Sequence, residues 1–424
     1  MKNLLILSYY YPPLGLSGVQ RTVKFVKYLP QFGWNPIVIA PRPRGSYVYD
    51  PALGAEVAQA KVFRTWSLDP LFLSPQKNTG SALHKNSLAS RINRWLVPDN
   101  KTGWIPFALQ AGLKAARQFP IDAIYSTAPP YSSHLAGVLL KKLLGRPLVT
   151  DFRDAWTSYT WTKYPSGALR KLDHKMEELV LKSADLVTAV NSRILDDLCS
   201  LHPRVDGSKF HLVSHGYDPE DFIGASRPDP DHFTIAYTGT FINNRSPRTL
   251  FEAVKLMRKQ NVSGLDKLRI VFAGSHRESD LALVKEFDLN STVRFTGYLT
   301  HQQSIKVLTE ADLLWLVMGP EETANVTPGK LFEYLGAKRP ILGSMPKEGA
   351  AADIIRQAGA GLVFAPDDHQ GLADAIASLA RGRASHRQLC FRRSGIVEKY
   401  DRRRLASRLA SALNGISEGR PWTS

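Results

Sequence analysis

The sequence predicts an α/β protein with two parallel, doubly wound sheets in tandem. Short aliphatic runs alternate with longer amphipathic runs over most of the 424 residues, which is the pattern of repeated β-α-β units. After the Pro- and Asp-rich stretch 218–231, which indicates a linker, the alternation restarts. The length suits two domains of about 200 residues, each of which can bury its own core.

The first half carries the signals of one sheet with its covering helices. Aliphatic and β-branched runs predict strands over 3–8, 35–40, 121–125, 147–151 and 185–189. Apolar residues at helical spacing predict helices over 19–32, 131–144 and 165–182. The polar stretch 67–106 interrupts this pattern, and within it residues 81–96 predict a basic amphipathic helix. That helix either packs on its own domain or lies on a membrane surface.

The second half repeats the alternation. Strands are predicted over 232–237, 268–273, 293–295, 313–317 and 340–342. Helices are predicted over 247–260, 278–287, 302–310 and 328–338, followed by a C-terminal helical pair over 384–416. This half therefore supplies a second sheet with its own helices.

The composition excludes several classes of protein. Hydrophobic residues make up 43% of the chain and charged residues 22%, as in an ordinary globular protein. The two cysteines, Cys199 and Cys390, lie far apart, which excludes a disulfide framework and a cysteine-based zinc site. The sequence has no run of 18 apolar residues, and its first residues lack the features of a signal peptide. We therefore expect a cytoplasmic protein.

The positive charge of the chain indicates an anionic partner. The formal net charge is +17. Residues 381–408 hold ten Lys and Arg against two acidic residues, whereas the rest of the second half is about neutral. A nucleic acid, an anionic membrane surface or a phosphorylated substrate would each fit this charge.

The first loop, residues 9–21, follows a predicted strand and opens a helix. Gly15 and Gly18 would let backbone N–H groups and the helix N-terminus approach an anion closely. The spacing of these glycines is not that of the dinucleotide-binding fingerprint. The alternative interpretation is an ordinary tight turn between strand and helix.

The second half opens with a similar strand, glycine and helix over 236–254. Gly239 ends the strand, and Arg245 follows in the loop or first helical turn, where a cation can pair with a phosphate. A further strand ends at Gly274, and His276 just after it could contact a base or a phosphate. The alternatives are a solvated loop charge for Arg245 and an ordinary loop histidine for His276.

Residues 325–342 carry the strongest functional signal. Thr327 is predicted as the N-cap of a helix and Pro328 as its first residue, so that free N–H groups face a ligand. Lys330 beside this helix start suits a diphosphate, and Glu333 one turn later suits the two hydroxyls of a ribose. The alternative is a capped surface helix with an ion pair between Lys330 and Glu333.

Taken together, these segments resemble glycosyltransferase family 4, whose members are retaining enzymes of the GT-B fold. The segments that carry the resemblance occur in the family's order: YYYPPLGLSG (9–18), DFRDAW (151–156), VSHGYDPEDF (213–222), VRFTGYLT (293–300) and TPGKLFEYLGAKRPIL (327–342). The chain looks most similar to the fucosamine-transferase-like branch of bacterial surface-polysaccharide synthesis.

The resemblance implies a domain plan. Two Rossmann-like domains would face each other across a crevice. Residues 1–217 would form the acceptor-binding domain, 218–231 the linker, and 232–395 the domain that binds the nucleotide-sugar donor. The C-terminal helix, within 396–424, would cross back to the first domain.

The resemblance also implies roles for individual residues. Arg245 and Lys330 would stabilise the leaving diphosphate, and Asp154 would reach toward the transferred sugar. Glu333 would bind the ribose hydroxyls. The other residues implied at the donor site are Gly18, Gly239, Thr240, His276, Tyr298, Asn325, Thr327 and Gly329. Asn325 and Thr240 depart from the family, which often has Glu and Arg there, so the identity of the donor sugar stays open.

The chemistry implied is transfer of a sugar from a nucleoside-diphosphate sugar, with UDP the commoner carrier, to a lipid-linked saccharide or other glycan. Configuration at the sugar would be retained, and the departing phosphate oxygen would take the acceptor proton. Such enzymes need no metal or other cofactor, because helix N-termini and basic side chains stabilise the leaving group. The carboxylates of Asp229 and Asp231 formally match a metal-binding motif but fall in the predicted linker.

The basic segments then predict a peripheral membrane surface. The helix over 81–96, the tail over 381–408 and the basic first domain would face an anionic bilayer that carries the acceptor. The residues expected to contact the acceptor or the membrane are Lys85, Arg91, Arg94 and Trp95. The protein would lie on the inner face of the cell membrane, as a monomer or weak dimer.

Three other functions stay open on the sequence alone. A catalytically inactive GT-B scaffold would fit the missing first Glu at Asn325. A sugar-nucleotide epimerase would need paired carboxylates and a histidine, which the sequence does not bring together. A nucleic-acid-binding protein fits the charge, but the sequence shows no RNA-binding aromatic signature or helix-turn-helix pattern, so we expect no nucleic acid partner.

Overall fold

The computed structural model describes residues 1–15, 17–44, 49–73, 95–159, 164–242, 244–319, 324–382 and 395–419. The chain divides into two compact units. The first comprises Met1–His215 with Arg402–Ser424, and the second comprises Gly216–Asp401. Each unit is built on one parallel sheet with helices, which confirms the predicted α/β class.

The first unit has a seven-stranded parallel sheet. Across the sheet the strands are β3 (Lys61–Thr65), β2 (Trp34–Pro41), β1 (Lys2–Leu7), β4 (Ile121–Ala128), β5 (Leu148–Phe152), β6 (Leu186–Ala189) and β7 (Phe210–Leu212). The central strand β1 is buried on both faces, as expected where helices cover both sides of a sheet. The aliphatic residues of β1 suit this position, because side chains on both faces of the strand are buried.

Eight α-helices of the described chain belong to this unit. They are α1 (Ser17–Tyr28), α2 (Pro51–Ala55), α3 (Pro70–Leu73), α4 (Ile105–Gln118), α5 (Ser132–Leu144), α6 (Gly167–Ser183), α7 (Ser192–Leu201) and α14 (Arg402–Ser417). The C-terminal helix α14 packs on α1, and its Leu405, Leu409 and Leu413 join the core that covers one face of the sheet. The end of the chain thus returns to the first unit.

A buried ion pair ties several elements of the first unit together. Arg21 on α1 donates two hydrogen bonds to Asp151 at the end of β5, at 2.9 and 2.7 Å. Thr127 and Thr188, at the ends of β4 and β6, also donate to this carboxylate. Arg21 holds the pKa of Asp151 well below its usual range, against the effect of burial. Asp151 therefore organises the carboxyl ends of three neighbouring strands.

The second unit has a six-stranded parallel sheet. Across the sheet the strands are β10 (Val293–Gly297), β9 (Leu268–Ala273), β8 (Phe233–Thr238), β11 (Leu313–Val317), β12 (Ile341–Ser344) and β13 (Gly361–Phe364). The helices described are α8 (Arg248–Lys259), α9 (Glu278–Glu286), α10 (His301–Glu310), α11 (Gly329–Ala337), α12 (Ala350–Gln357) and α13 (His369–Arg381). Apolar clusters cover both faces of the sheet.

The unit boundaries lie close to the domain limits implied by the resemblance. The stretch 218–231, expected as a linker, lies in the second unit, where Asp218 caps a short 3-10 helix at Pro219–Phe222. Of the expected return segment 396–424, the first six residues also belong to the second unit. Of the predicted basic helix at 81–96, only the last two residues lie inside the described chain, and the tail over 381–408 is described only in part.

Candidate donor-binding site

The predicted site residues of the second unit follow neighbouring strands at one edge of its sheet. Gly239 and Arg245 follow β8, His276 follows β9, and Tyr298 follows β10. The segment 325–333, with Lys330 and Glu333, begins in the loop after β11 and continues into α11. All of these strands are parallel, so their carboxyl ends meet at the same edge, the usual place for ligands in such sheets.

Gly239 leaves space for the ammonium of Lys330. Its φ is +105°, a conformation that favours glycine, and a Cβ atom placed there would lie 2.5 Å from Lys330 Nζ. A second glycine, Gly274, packs on the Gly239 backbone, since a Cβ there would lie 2.5 Å from the Gly239 carbonyl oxygen. Close packing of these two strand ends brings the backbone and the Lys330 side chain together.

Lys330 belongs to a group of aromatic and charged side chains. Its Nζ lies 3.9 Å from the ring centroid of Tyr237, a cation–π contact, and the Tyr237 ring stacks on Phe241 at 4.6 Å. Burial lowers the pKa of Lys330, while Tyr237 and Glu333 favour the charged ammonium and Arg245 disfavours it. Two cations near enough to affect each other's charge are a suitable arrangement for a doubly charged phosphate group.

Arg277 positions the loop that carries Arg245. Its guanidinium donates to the Arg245 carbonyl at 2.9 Å and to the buried Asp280 carboxylate at 2.8 Å. Arg245 itself is buried, with 8% of its surface exposed, so its side chain is not the solvated loop charge that was the alternative. Arg277 was not predicted as a site residue, because its contact with Arg245 bridges two separate loops.

The start of α11 corrects one prediction. The helix begins at Gly329, and Pro328, with an extended ψ of 133°, occupies the N-cap position without a side-chain cap. The prediction of Thr327 as N-cap and Pro328 as first helical residue is therefore wrong by one position. A residue that precedes proline favours extended backbone, which keeps Thr327 outside the helix. The helix N-terminus still lies beside Lys330, as expected.

Tyr334 holds α11 against the sheet. Its hydroxyl accepts a hydrogen bond from the Thr238 backbone N–H at 3.0 Å and donates to the Trp315 carbonyl at 3.3 Å. The side chain is fully buried, and burial raises its pKa well above the usual range. These two bonds join the helix that carries Lys330 and Glu333 to both β8 and β11.

Glu333 has a histidine neighbour that sequence reasoning missed. His301, the first residue of α10, places Nδ1 3.7 Å from the Glu333 carboxylate. Its Nε2 lies 2.9 Å from Asp221 Oδ2. His301 therefore bridges two carboxylates of the second unit. Asp221 lies 80 residues earlier in the chain, so no local pattern could indicate this contact.

The remaining predicted donor-site residues differ in exposure. Thr240, His276 and Tyr298 are exposed, as residues that meet a ligand can be. The imidazole of His276 lies 5.0 Å from the Phe295 ring. Asn325 and Thr327, in contrast, are buried, with 9% and 8% of their surface exposed.

In the first unit, Gly18 contacts Arg153. A Cβ at Gly18 would lie 2.6 Å from Arg153 Nη1, and the same guanidinium nitrogen donates to the Gly18 carbonyl. Arg153 also donates to the carbonyl of Ala128, the last residue of β4, and to that of Pro129, the residue after it. Arg153 thus joins the start of α1 to the ends of β4 and β5. The resemblance placed Arg153 and Asp154 of the segment DFRDAW where many relatives have a histidine near the sugar, but it did not predict these contacts of Arg153.

Asp154 lies next to Arg153 at the carboxyl end of β5. Burial raises the pKa of this carboxyl, and the adjacent Arg153 guanidinium partly offsets the effect. The side chain is half-buried, in contrast to the enclosed Asp151 of the same segment. Asp154 is therefore the carboxylate of this segment that a ligand can reach.

The predicted acceptor or membrane residues are described only in part. Lys85, Arg91 and Arg94 lie outside the described residues. Trp95 is described and has 61% of its surface exposed. Among the described residues, no helix combines the length and apolar character needed to cross a bilayer.

The fold and the strand-end loops define an α/β protein that carries two Rossmann-like units. The chain belongs to the glycosyltransferases: residues 16–221 match the family model described as Glycosyltransferase Family 4, and residues 232–381 match Glycosyl transferases group 1. The two matches together cover most of the chain and confirm the predicted family. The fucosamine-transferase-like branch stays a prediction.

Known proteins and structures agree with this family. The alpha-maltose-1-phosphate synthase of Mycolicibacterium smegmatis is 29% identical over 109 residues, which span 26% of this chain but only 28% of that protein. The structure of HepE from Anabaena in complex with UDP and glucose covers 98% of this chain and 100% of its own, with 14% identity and a TM-score of 0.65. The structure of sucrose-phosphate synthase from Thermosynechococcus elongatus covers 99% of this chain and 100% of its own, with 15% identity and a TM-score of 0.69. These likenesses confirm the GT-B fold class.

Proposed function

We propose that this protein is a retaining glycosyltransferase that uses a UDP-sugar as donor and a lipid-linked saccharide or other glycan as acceptor. The observation that carries the proposal is the convergence of Lys330, Arg245 and Glu333 at the carboxyl edge of the second sheet. HepE, a protein of the same fold, binds UDP in its solved structure.

The arrangement suits departure of a nucleoside diphosphate. Lys330 and Arg245 supply positive charge, and the uncapped start of α11 adds backbone N–H groups and the positive end of a helix dipole. Preorganised charge of this kind stabilises the negative charge that develops on a leaving phosphate. Glu333, one turn into α11, can accept from both ribose hydroxyls. We propose that this set replaces a metal ion in the reaction.

Donor binding is the first test. The melting temperature of the protein should rise with UDP by mass action, in the presence of a chelator, and rise less with GDP, dTDP or ADP. Lys330→Ala and Glu333→Ala should each reduce this shift strongly. Lys285→Ala, which removes an exposed lysine from α9, is the matched control. No shift with any nucleoside diphosphate would contradict the proposal.

Catalysis and stereochemistry need a separate assay. UDP release from UDP-sugars that increases when acceptor glycans are added would indicate transfer and exclude an inactive scaffold. Conversion of the UDP-sugar into its epimer without UDP release would indicate the epimerase alternative instead. The anomeric configuration of the product, read by NMR, tests retention: an inverted product would contradict that part of the proposal.

We extend the proposal to peripheral binding at an anionic membrane on the cytoplasmic side. Two exposed tryptophans support it: Trp66, with 43% of its surface exposed, and Trp95, with 61%. The guanidinium groups of Arg42 and Arg44 lie 5.4 and 5.2 Å from the Trp66 ring. Exposed tryptophan beside arginine is typical of a membrane–water interface.

Vesicle binding tests this extension. The protein should sediment with vesicles that contain phosphatidylglycerol at low salt and not with purely zwitterionic vesicles. The double variant Trp66→Ala/Trp95→Ala should lose most of this binding while it keeps the UDP-induced rise in melting temperature. Equal binding to both vesicle types, or none to either, would contradict the extension.

A further inference from the structure

A cluster of side chains in the first unit has the composition of a transition-metal site. His174 and Glu177 stand three residues apart on α6, so they share one face of that helix. His202 is the C-cap residue that directly follows α7. One possible ligand atom from each residue lies within 4.8 Å of the other two. All three residues lie in the first unit, and none of them is a candidate donor-site residue.

Among the described residues, Glu177 is a buried carboxylate without a permanently charged partner. Its side chain is fully buried and accepts hydrogen bonds from the Thr157 backbone N–H, at 3.3 Å, and from the Thr157 hydroxyl. Among the described residues, the ion pair that Glu177 makes is with His202 Nε2 at 2.9 Å, and that pair is charged only if the imidazole is protonated. A buried charge is normally paired with an opposite charge or bound to a metal ion.

Two imidazoles lie beside this carboxylate. The rings of His174 and His202 are stacked, with centroids 4.4 Å apart and planes inclined by 23°. His202 is buried, whereas His174 is half-exposed, so an ion can enter from the side of His174. Zinc lies about 2.0–2.2 Å from its nitrogen and oxygen ligands. The ligand atoms of the three residues, which lie within 4.8 Å of one another, must therefore move closer together to share one ion. The half-exposed His174 side chain makes no hydrogen bond to another described residue, so it can rotate toward Glu177 and His202.

We propose that His174, Glu177 and His202 bind one Zn²⁺ ion, with water or another external ligand in the fourth position. Two imidazoles and a carboxylate are a donor set that suits zinc. The ion would neutralise the buried Glu177 and join α6 to the end of α7. The ion would also stabilise the segment after β5 at Thr157, whose N–H and hydroxyl donate hydrogen bonds to Glu177. The role is structural, and the proposal does not depend on the proposed transferase activity.

The test is metal binding by the purified, untagged protein after treatment with a chelator. Titration with Zn²⁺ should show one tight site per chain, and Co²⁺ should give the visible absorption of a tetrahedral complex. Zn²⁺ should also raise the melting temperature by mass action. His174→Ala should weaken Zn²⁺ binding at least about tenfold and remove the Co²⁺ absorption. His174 is half-exposed, so this variant should fold.

Two further variants sharpen the test. His202→Gln removes the second imidazole and should also abolish tight binding, whereas His369→Ala, in the second unit, should leave binding unchanged. The absence of a stoichiometric site in the parent protein would overturn the proposal, and so would Zn²⁺ binding that His174→Ala leaves intact. In either case the cluster would be a hydrogen-bonded pair of His202 and Glu177 with a stacked histidine.

Discussion

At Gly239, the backbone and the ammonium of Lys330 leave no space for a side chain. We expect Gly239→Ala to displace Lys330 and to weaken UDP binding by about tenfold or more, because the added Cβ would lie 2.5 Å from Nζ. Gly264→Ala is the matched control, since Gly264 also has a positive φ, of 84°, but no atom of the described residues lies within 4 Å of the added Cβ. Both variants should lose about 1 kcal/mol of stability from backbone strain.

The comparison separates strain from loss of the site. Isothermal titration with UDP and thermal melting of both variants are the measurements. If Gly239→Ala and Gly264→Ala lowered the melting temperature alike and both kept UDP affinity, the close approach of Lys330 to Gly239 would have no role in binding.

His301 is expected to position Glu333 without contacting the reacting atoms. His301→Ala removes the group 3.7 Å from the Glu333 carboxylate, so the donor KM should rise several-fold while kcat changes little. Asp221→Asn should act through the same histidine, so the effects of the double variant should be clearly less than additive. Steady-state kinetics of the two single variants and the double variant are the measurement, and additive effects would contradict the linkage.

At the residue scale, the sequence predicts which side chains lie together when those residues belong to the same short segment. Lys330 and Glu333 lie three residues apart on the same helix, so their spacing alone predicted that they share a face. Gly239 was assigned to the donor site only through the resemblance to the family. His301 and Arg277 were missed because their partners, Asp221 and the Arg245 carbonyl, come from other loops. Such contacts depend on how loops pack, which hydrophobic periodicity does not encode.

At the scale of elements, the hydroxyl of Tyr334 is the link between α11 and the sheet. Tyr334→Phe removes the hydroxyl that accepts the hydrogen bond of the Thr238 N–H, so this buried N–H loses that acceptor. We therefore expect the free energy of unfolding to fall by about 1–3 kcal/mol. Tyr400→Phe is the control, because the Tyr400 ring packs on Phe332 and its hydroxyl makes no hydrogen bond to a described residue.

Thermal and urea unfolding of the two variants measure this difference. A larger loss in Tyr400→Phe than in Tyr334→Phe would show that the two hydrogen bonds of Tyr334 are not what fixes α11. UDP binding gives a second readout, since a loosened α11 should also misplace Lys330 and Glu333.

The bounds predicted for strands in the middle of each sheet differ from those observed by at most three residues, because these strands are aliphatic runs between clear turns. The strand over 268–273 and the strand over 313–317 were predicted with the bounds observed. The missed strands are short and half-exposed: β3 reads KVFRT, β7 reads FHL and β13 reads GLVF. Each is an outer strand of its sheet, where burial on both faces does not impose an aliphatic sequence.

At the scale of the whole molecule, one buried histidine makes stability depend on pH. His134 on α5 is fully buried, its Nδ1 lies 2.8 Å from the Ser126 hydroxyl, and its Nε2 has no hydrogen-bond partner among the described residues. Burial lowers its pKa to about 3, with Asp151 opposing and Arg153 reinforcing the shift. The folded chain therefore keeps this imidazole neutral where the unfolded chain would protonate it.

The sign of the effect follows from linkage. In the unfolded chain the pKa of a histidine is about 6.5, so unfolding takes up a proton as the pH falls below that value. The contribution of His134 to stability is fully present above about pH 6.5 and is lost as the pH falls toward 3. Between pH 7 and pH 5 the loss should be about 2 kcal/mol.

His134→Asn isolates this contribution. Asparagine does not titrate and keeps a group that can hydrogen-bond to Ser126, so the decrease in stability between pH 7 and pH 5 should be smaller than in the parent protein by about 2 kcal/mol. His369→Gln, at the half-exposed first residue of α13 in the second unit, is the control and should keep the parent slope. Thermal melting at both pH values measures the slopes. Equal slopes in the parent and His134→Asn would mean that the acid sensitivity of the protein comes from groups other than this imidazole.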